Sequence, residues 1–403
     1  MKPIKTLLIV LCCLFGGISP LESATPKEKK WTVLIYIAGD NDLYPYVSMN
    51  IEQLKRIGSS PFVNFVVYLC KHPHGQRKVA QKIKIEKGKA VILSEEPDID
   101  SGSPRTLHAA IDWATEDFPS EHLAVIAWDH GSGALNRIER GICYDYTTGH
   151  YLSDRDLRYA FDHIVKKIGK KIDIFACDAC LMASVELAAS FANCVDYFVS
   201  SEETIPGTGF NYTRAMLPVA QHAIQPSDLA SHWVKAYQQN YSPYYEGYTL
   251  SAVNLSGMNE LTKAIDSLGN SLTTLLRYQF NKSVKSLLQQ CSMPGYCTTF
   301  EESSYIDLDH FAQLLQQKID TVYVNLDDVQ KNRIVSQIKN SLAIIRGQLA
   351  KSVIANAHGK KYAHAAGLTI YFPQRVVHAS YPRLIWSYLC PAWAEFLDAY
   401  VRS

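Results

Sequence analysis

The sequence predicts an α/β protein with a mainly parallel central sheet and a more helical C-terminal portion. Short apolar segments rich in β-branched residues alternate with amphipathic stretches through roughly the first 200 residues, which is typical of helices covering both faces of a parallel sheet. Hydrophobic residues make up 47% of the 403 residues, enough for a large core. In the second half of the chain, helical periodicity predominates.

The composition excludes several classes of protein. Lys and Arg total 40, and Asp and Glu total 39. The chain therefore lacks both the basic excess of a nucleic-acid-binding protein and the acidic excess of a solvating tail. Ten cysteines in 403 residues are too few for a small scaffold held by disulfides. We expect a globular enzyme or a large binding domain, with no nucleic-acid partner.

The N-terminus has the pattern of a secretory signal peptide over residues 1–24. Lys2 and Lys5 precede an apolar run over residues 6–15, and small residues follow up to Ala24. This order predicts cleavage and export to the periplasm, the cell surface or the medium. The apolar run is too short for a membrane helix, and no other stretch predicts a membrane span in the mature chain.

Residues 25–220 are predicted to form a core in which strands and helices alternate. Strands are predicted where apolar and β-branched residues cluster, at residues 31–40, 62–70, 122–128, 171–176 and 196–201, with a hairpin over 78–93. Helices are predicted between them, over residues 46–57, 107–115, 154–168 and 181–192. Ser153 is a suitable N-cap for the third helix, because its hydroxyl can accept a hydrogen bond from an amide of the first turn.

Residues 221–403 are predicted to form a helical C-terminal region that adds strands to the same sheet. Helical periodicity covers residues 229–239, 258–277, 329–356 and 381–401, and Pro391 should bend or break the last of these helices. Two strand-like segments, residues 248–255 and 367–372, are expected to join the central sheet.

Reactive side chains follow two of the predicted strands. The strand over 122–128 ends in Asp129, His130 and Gly131, and the strand over 171–176 is followed by Cys177 and Cys180. Ligands bind at the carboxyl ends of the strands in open parallel sheets. His130 and Cys180 can therefore meet there, and an imidazole beside a thiol is what a cysteine nucleophile requires. The helix predicted from residue 181 would favour the thiolate.

Backbone amides near the same strand ends are candidates for an oxyanion hole. Gly131 has no side chain, so its backbone can approach a substrate closely. We expect the amides of Gly131 and Cys180 to donate to the oxygen of a tetrahedral intermediate. Asp129 is left out of the predicted catalytic group, because neighbouring residues of a strand face opposite ways.

The spacing of Cys177 and Cys180 leaves other interpretations open. A C-x-x-C pair between a strand and a helix is also typical of thiol redox proteins. A zinc site using both thiols and His130 would need at least one further ligand. The two cysteines could also be a buried structural pair. None of these alternatives explains the DHGSG sequence at residues 129–133.

Several segments together resemble the clostripain family of cysteine peptidases, and they occur in that family's order. They are WTVLIYIAGDNDL, AWDHGSGA, RGICYDYTTGHYLS, DIFACDACLMASVELA, SSEETIPGTGF, YTLSAVNL and GLTIYFP. The resemblance implies a caspase-like α/β/α sandwich, related to gingipains and legumains. It implies a catalytic core over residues 25–220 and cleavage of peptide or protein substrates after Arg or Lys. A non-catalytic, peptide-binding member of the same fold remains the alternative.

The resemblance also implies roles for individual residues. His130 would be the catalytic histidine and Cys180 the nucleophile, while Asp178 would hold the basic side chain of the substrate. The stretch over residues 200–209 would line the cleft through Ser201, Glu202 and Thr204. Calcium dependence is a property of some relatives, but we find no EF-hand-like loop, and no metal ligand is assigned.

A loop with two arginines follows the predicted catalytic histidine. Family members are often activated by a cut in this loop, which here contains Arg137 and Arg140. We expect self-cleavage after one of them, with Arg140 slightly preferred. The alternative is that both are solvated loop charges.

Overall fold

The described part of the chain excludes the N-terminus and a few short internal segments. The computed structural model describes residues 28–73, 76–135, 141–278, 281–324 and 326–403. The signal peptide predicted over 1–24 lies outside the described residues, as do Arg137 and Arg140. Among the described residues, no helix is both long enough and apolar enough to cross a bilayer.

Nine strands form one central sheet. The strands of the described residues, in chain order, are β1 (Lys29–Gly39), β2 (Val63–Lys71), β3 (Val79–Glu86), β4 (Lys89–Pro97), β5 (Ser120–Trp128), β6 (Ile172–Asp178), β7 (Val195–Ser200), β8 (Thr249–Asn254), β9 (Tyr305–Asp307), β10 (Val353–His358) and β11 (Thr369–Tyr371). The order in the sheet is β10-β8-β7-β6-β5-β1-β2-β3-β4. Strands β1, β2, β5, β6 and β7 are parallel, and antiparallel strands flank them on both sides. The predicted mainly parallel sheet is confirmed.

Helices cover both faces of this sheet. They are α1 (Tyr44–Ile57), α2 (Pro104–Asp117), α3 (Asp154–Ile168), α4 (Val185–Phe191), α5 (Tyr212–Gln221), α6 (Pro226–Tyr241), α7 (Met258–Arg277), α8 (Asn281–Ser292), α9 (Leu308–Lys318), α10 (Asp328–Ser352), α11 (Ile385–Leu389) and α12 (Pro391–Arg402). Helices α1, α5 and α6 pack on one face, and α2, α3, α4 and the C-terminal helices pack on the other. This arrangement is an α/β/α sandwich.

Strand β1 illustrates why its sequence forms a buried central strand. Successive side chains of a strand point to opposite faces. Accordingly, Val33 and Ile35 lie in the core under α1, α5 and α6, whereas Leu34 and Tyr36 lie in the core on the other face. Because both faces are covered, the strand is a continuous apolar run rather than an alternating one.

The strand predicted within residues 367–372 is present, but it does not join the central sheet as expected. Residues 367–372 contain β11, which pairs with β9 in a separate two-stranded sheet instead of joining the central one. The open edge of β8 is occupied by β10, which pairs with it in antiparallel orientation. Residues 353–356 were expected to continue a helix, but the chain leaves α10 at Ser352 and becomes extended.

Helix termini follow the local sequence closely. Ser153 caps α3 as predicted, and Asp156 completes a capping box by accepting from the Ser153 backbone. Pro391 starts α12 and separates it from α11, which confirms the predicted interruption. Proline suits a first helical turn because its missing N–H would have no partner there.

Candidate active site

The two reactive strand ends lie side by side. Strands β5 and β6 are parallel neighbours, and their register places Trp128 opposite Asp178. The residues that follow these two strands therefore leave the same edge of the sheet. They surround a cavity of about 220 Å³. Its lining residues are Leu43, Trp128, Asp129, His130, Asp178, Ala179, Cys180, Ile205, Pro206, Gly207 and Gly209.

The Cys180 thiol lies at this cavity under the backbone of Ile205. The Ile205 N–H donates to Cys180 Sγ at 3.2 Å. Burial raises the pKa of the thiol, and the bond from Ile205 opposes that rise. The expected helix dipole is absent from this position, because α4 begins at Val185 rather than at residue 181. A loop amide, not a helix terminus, is therefore the group that stabilises a thiolate here.

A strained turn follows Cys180. Leu181 has φ of 63°, a conformation that non-glycine residues seldom adopt. Its amide donates to the Glu203 carbonyl at 3.2 Å, and the Ala183 amide donates to the Ser201 carbonyl at 2.9 Å. These bonds attach the turn to the segment after β7. They keep Cys180 on the loop instead of on a helix.

His130 contacts a carboxylate that the sequence reasoning missed. His130 Nε2 lies 2.7 Å from Asp42 Oδ1. Asp42 follows β1, and β1 is the direct neighbour of β5 in the sheet. The signal that could have identified it is the polar sequence Asp40, Asn41, Asp42 at the end of a predicted buried strand.

Asp129 also lines this cavity, and its carboxylate is held by hydrogen bonds from within the protein. Its carboxylate accepts from the Asn41 side chain at 2.6 Å and from the Tyr144 amide. Burial raises the pKa of Asp129 well above the usual range, against the effect of these hydrogen bonds. Asp129 thereby connects the end of β5 to the segment that follows residues 136–140.

Asp178 lies in the lining of the cavity and is itself almost fully buried. Its carboxylate accepts from the Phe210 amide at 3.0 and 3.1 Å and from the Tyr212 hydroxyl at 2.9 Å. Burial raises the pKa of Asp178 to about 6, although both donors favour the ionised form. A carboxylate in this position can form a charge-assisted hydrogen bond with a cationic side chain.

Gly209 allows the loop to approach Asp178 closely. Its substitution tests whether the position of the Asp178 carboxylate matters for activity. It has φ of 61°, and a Cβ would lie 2.6 Å from Asp178 Oδ2. We expect Gly209→Ala to displace the carboxylate and to lower kcat/KM on basic peptides by about 10- to 100-fold.

The matched control for that substitution is Gly169→Ala. Gly169 has φ of 72° but nothing within 4 Å of an added Cβ. Alanine at this position therefore adds backbone strain of about 1 kcal/mol without a steric collision. Steady-state kinetics should show normal turnover for this control. Equal kinetic losses in both variants would contradict the role assigned to the contact.

The residues assigned to the cleft from the 200–209 stretch do not line this cavity. Ser201 is buried and bonds to the Glu203 carbonyl and the Thr249 hydroxyl. Glu202 is also buried, and it accepts from the Gly367 amide. Thr204 is not among the residues that line the cavity. The stretch contributes instead through its later part, Ile205 to Gly209, because its first residues form internal hydrogen bonds.

Gly131 lies against the loop that holds Cys180. A Cβ on Gly131 would be 2.4 Å from the Cys180 carbonyl oxygen. The absence of a side chain is therefore a packing requirement at this point. The oxyanion role of the Gly131 and Cys180 amides remains a prediction.

The two cysteines of the C-x-x-C pair lie in different environments. Cys177 is fully buried in the core that packs against α2 and α3, whereas Cys180 is partly exposed at the cavity. All eight cysteines of the described residues are free thiols. The described residues also contain no group of three or more His, Cys, Asp or Glu arranged to hold a metal ion.

Solved structures of C11 proteases share this fold. An inactive zymogen C11 protease from Parabacteroides distasonis is 21% identical, with a TM-score of 0.65 over 91% of this chain and 99% of that one. A secreted C11 cysteine protease from Bacteroides thetaiotaomicron, called iotapain, is 14% identical, with a TM-score of 0.66 over 91% and 100%. The caspase-like α/β/α sandwich predicted from the resemblance is confirmed.

Sequence comparisons identify the family. Clostripain from Hathewaya histolytica is 28% identical over an alignment of 221 residues, and the match covers 47% of this chain and 42% of that protein. The match thus spans less than half the length of that relative. The profile of the clostripain family, Peptidase C11, matches residues 35–389, a range that contains every residue of the cavity. The chain therefore belongs to the clostripain family of C11 cysteine proteases.

Proposed function

We propose that this protein is a cysteine endopeptidase that cleaves after Arg or Lys, using Cys180 as nucleophile and His130 as its proton carrier. The observation that carries the proposal is the composition of the cavity. It brings a thiol, an imidazole and the Asp178 carboxylate together, and no Lys or Arg is present among its lining residues. A cationic side chain entering it would meet the Asp178 carboxylate and no permanently charged cation.

The proposed reaction proceeds through a thioester. His130 accepts the thiol proton, and the Cys180 sulfur attacks the carbonyl carbon of the substrate. The amides of Gly131 and Cys180 would donate to the oxyanion of the tetrahedral intermediate. As the C–N bond breaks, His130 returns the proton to the leaving amine. Water then attacks the thioester, which releases the acid and regenerates the thiol.

The Ile205 amide gives the thiolate a fixed donor in this scheme. Its bond to Cys180 Sγ exists before substrate arrives, so no reorganisation is needed when the proton moves to His130. The same segment continues to Gly209. A single loop would therefore contact both the nucleophile Cys180 and the part of the cavity around Asp178 that would hold the basic side chain.

Activity on a set of peptides tests this function. The mature chain should hydrolyse fluorogenic peptides with Arg or Lys before the reporter and leave matched Gln, Leu and Glu peptides uncut. Assays should include reducing agent, calcium or a chelator, and a sample nicked with trypsin. No turnover of the basic peptides in any of these conditions would reject the proposal.

We also propose that the chain is exported after removal of residues 1–24. The charged start, the short apolar run and Ala24 support this proposal. N-terminal sequencing of the chain recovered outside the cytoplasm should begin at or near Thr25. A secreted chain that retains Met1 would contradict cleavage.

Self-cleavage in the loop after His130 follows from the proposed specificity. Arg137 and Arg140 lie between Leu135, whose amide donates to the Tyr305 hydroxyl, and Ile142, which pairs with Leu152. The two described flanks of residues 136–140 are thus hydrogen-bonded, and Ile142 also pairs with Gly131, which follows the cavity residue His130. On incubation, the wild-type chain should yield two fragments that end and begin within residues 137–141.

Two variants separate self-cleavage from cutting by another protease. Cys180→Ala should remain intact under the same conditions, and Arg140→Ala should shift the cut to Arg137 or slow it. Mass spectrometry of the fragments identifies the bond that is cut. Fragments of equal yield in the wild type and in Cys180→Ala would exclude self-cleavage.

A further inference from the structure

We infer that Asp42 is a positioning residue for His130, and that Tyr146 in turn holds Asp42. The inference rests on the proposed function, since it assigns the proton-carrying role to His130. It extends the Cys180–His130 pair by a carboxylate and a phenol. These two groups come from segments that are far apart in the sequence.

The carboxylate determines which nitrogen of His130 carries the proton. Asp42 Oδ1 lies 2.7 Å from His130 Nε2, and an ionised carboxylate can only accept hydrogen bonds. Nε2 must therefore be the protonated nitrogen of the neutral ring, which leaves Nδ1 as the acceptor for the thiol proton. Burial acts to raise the pKa of Asp42, but the bonds from His130 and Tyr146 outweigh it and lower the pKa.

Tyr146 holds the same oxygen of this carboxylate. Its hydroxyl donates to Asp42 Oδ1 at 2.9 Å, and its amide donates to the Asp40 carbonyl at 2.9 Å. Burial and the neighbouring Asp42 raise the pKa of Tyr146 to about 12, so the phenol remains a donor at neutral pH. Tyr146 stands shortly after residues 136–140, the loop proposed to be cut.

Asp42 and His130 are both substantially exposed, so an effect of Asp42 on the reaction can be separated from an effect on fold stability. The side chain of Asp42 is 64% exposed and that of His130 is 43% exposed. Exposed ion pairs contribute little to stability. Loss of the Asp42 carboxylate should therefore leave the fold intact, and its effect should fall on the reaction.

Kinetics of Asp42 variants test the inference. We expect Asp42→Ala to lower kcat about 100-fold, within the range of a general acid–base contribution, with KM unchanged within twofold. Asp42→Asn keeps an acceptor oxygen and should lose less. Tyr146→Phe should lower kcat about threefold, because Asp42 keeps its bond to His130 and loses only the phenol that holds it. The control Asp398→Ala removes another exposed carboxylate, which is 54% exposed and paired with Arg402 on α12, and should keep full activity.

A spectroscopic measurement gives a result even without turnover. In Cys180→Ala protein labelled with ¹⁵N-histidine, the neutral His130 ring should show the Nε2–H tautomer. Adding Asp42→Ala should convert this signal to a mixture. Turnover in the wild type together with an unchanged kcat in Asp42→Ala would overturn the inference and leave the proposed function standing. Absence of turnover in the wild type with the expected tautomer change would reject the function and support the positioning of His130 by Asp42.

Discussion

Replacing Cys180 by alanine should abolish hydrolysis of Arg and Lys peptides, with a loss in kcat of at least about 10⁴-fold. The reason is that removing the nucleophile eliminates the thioester route and leaves only binding and the oxyanion amides. The side chain is small and only partly buried, so the variant should fold normally. Turnover of a fluorogenic Arg peptide measures the effect, with both chains first nicked by trypsin, because Cys180→Ala should not cut itself.

Cys177→Ala is the matched control for this experiment. Cys177 is a thiol three residues away, but it is fully buried in the core and does not line the cavity. Its truncation should cost about 1 kcal/mol or somewhat more in stability through lost packing, and should leave kcat almost unchanged. Similar losses of turnover in Cys177→Ala and Cys180→Ala would instead favour a dithiol, because a redox pair needs both sulfurs.

The second large effect is expected at Asp178. Asp178→Asn keeps the shape of the side chain and an acceptor for the Phe210 amide, but it removes the charge. We expect kcat/KM on Arg and Lys peptides to fall about 100-fold or more, since a buried charge pair loses one partner. The reactivity of Cys180 toward iodoacetamide should change little, which separates substrate binding from damage to the nucleophile. A variant that keeps its full preference for basic peptides would contradict the assignment.

The raised pKa of Asp178 also predicts how kcat/KM on Arg peptides depends on pH. The pKa of Asp178 is raised to about 6 in the unliganded protein, so the carboxyl becomes neutral as the pH falls below that value. The neutral form cannot pair with a cationic side chain. Therefore kcat/KM on Arg peptides should decrease as the pH falls through about 6. This part of the profile should be absent in Asp178→Asn.

The sequence predicted the central part of the fold, and it predicted that His130 and Cys180 lie at the same edge of the sheet, where both line one cavity. The buried apolar strands could be read directly from their residues. The reactive residues could be placed because both follow parallel strands. The orientation of the Cys180 loop could not be predicted, because it depends on bonds from Leu181 and Ala183 to the segment after β7. Those bonds are tertiary contacts that no local pattern encodes.

Three further features depended on contacts between segments that are distant in sequence. Asp42 reaches His130 because β1 lies between β2 and β5, and periodicity alone does not determine that order. Likewise, β10 rather than residues 367–372 covers the edge of β8. The burial of Glu202 has the same origin, since its partner Gly367 is 165 positions away. In each case the decisive contact joins segments that are distant in sequence.

Covalent labelling tests the central claim most directly. The processed chain is incubated with a peptidyl-arginine chloromethyl ketone, and the modified residue is located by peptide mapping and mass spectrometry. The account predicts one adduct per chain, a thioether on Cys180 formed by displacement of chloride, with none in Cys180→Ala and slower labelling in Asp178→Asn. An active chain that is labelled at another residue, or that is inactivated while Cys180 stays unmodified, would contradict the account.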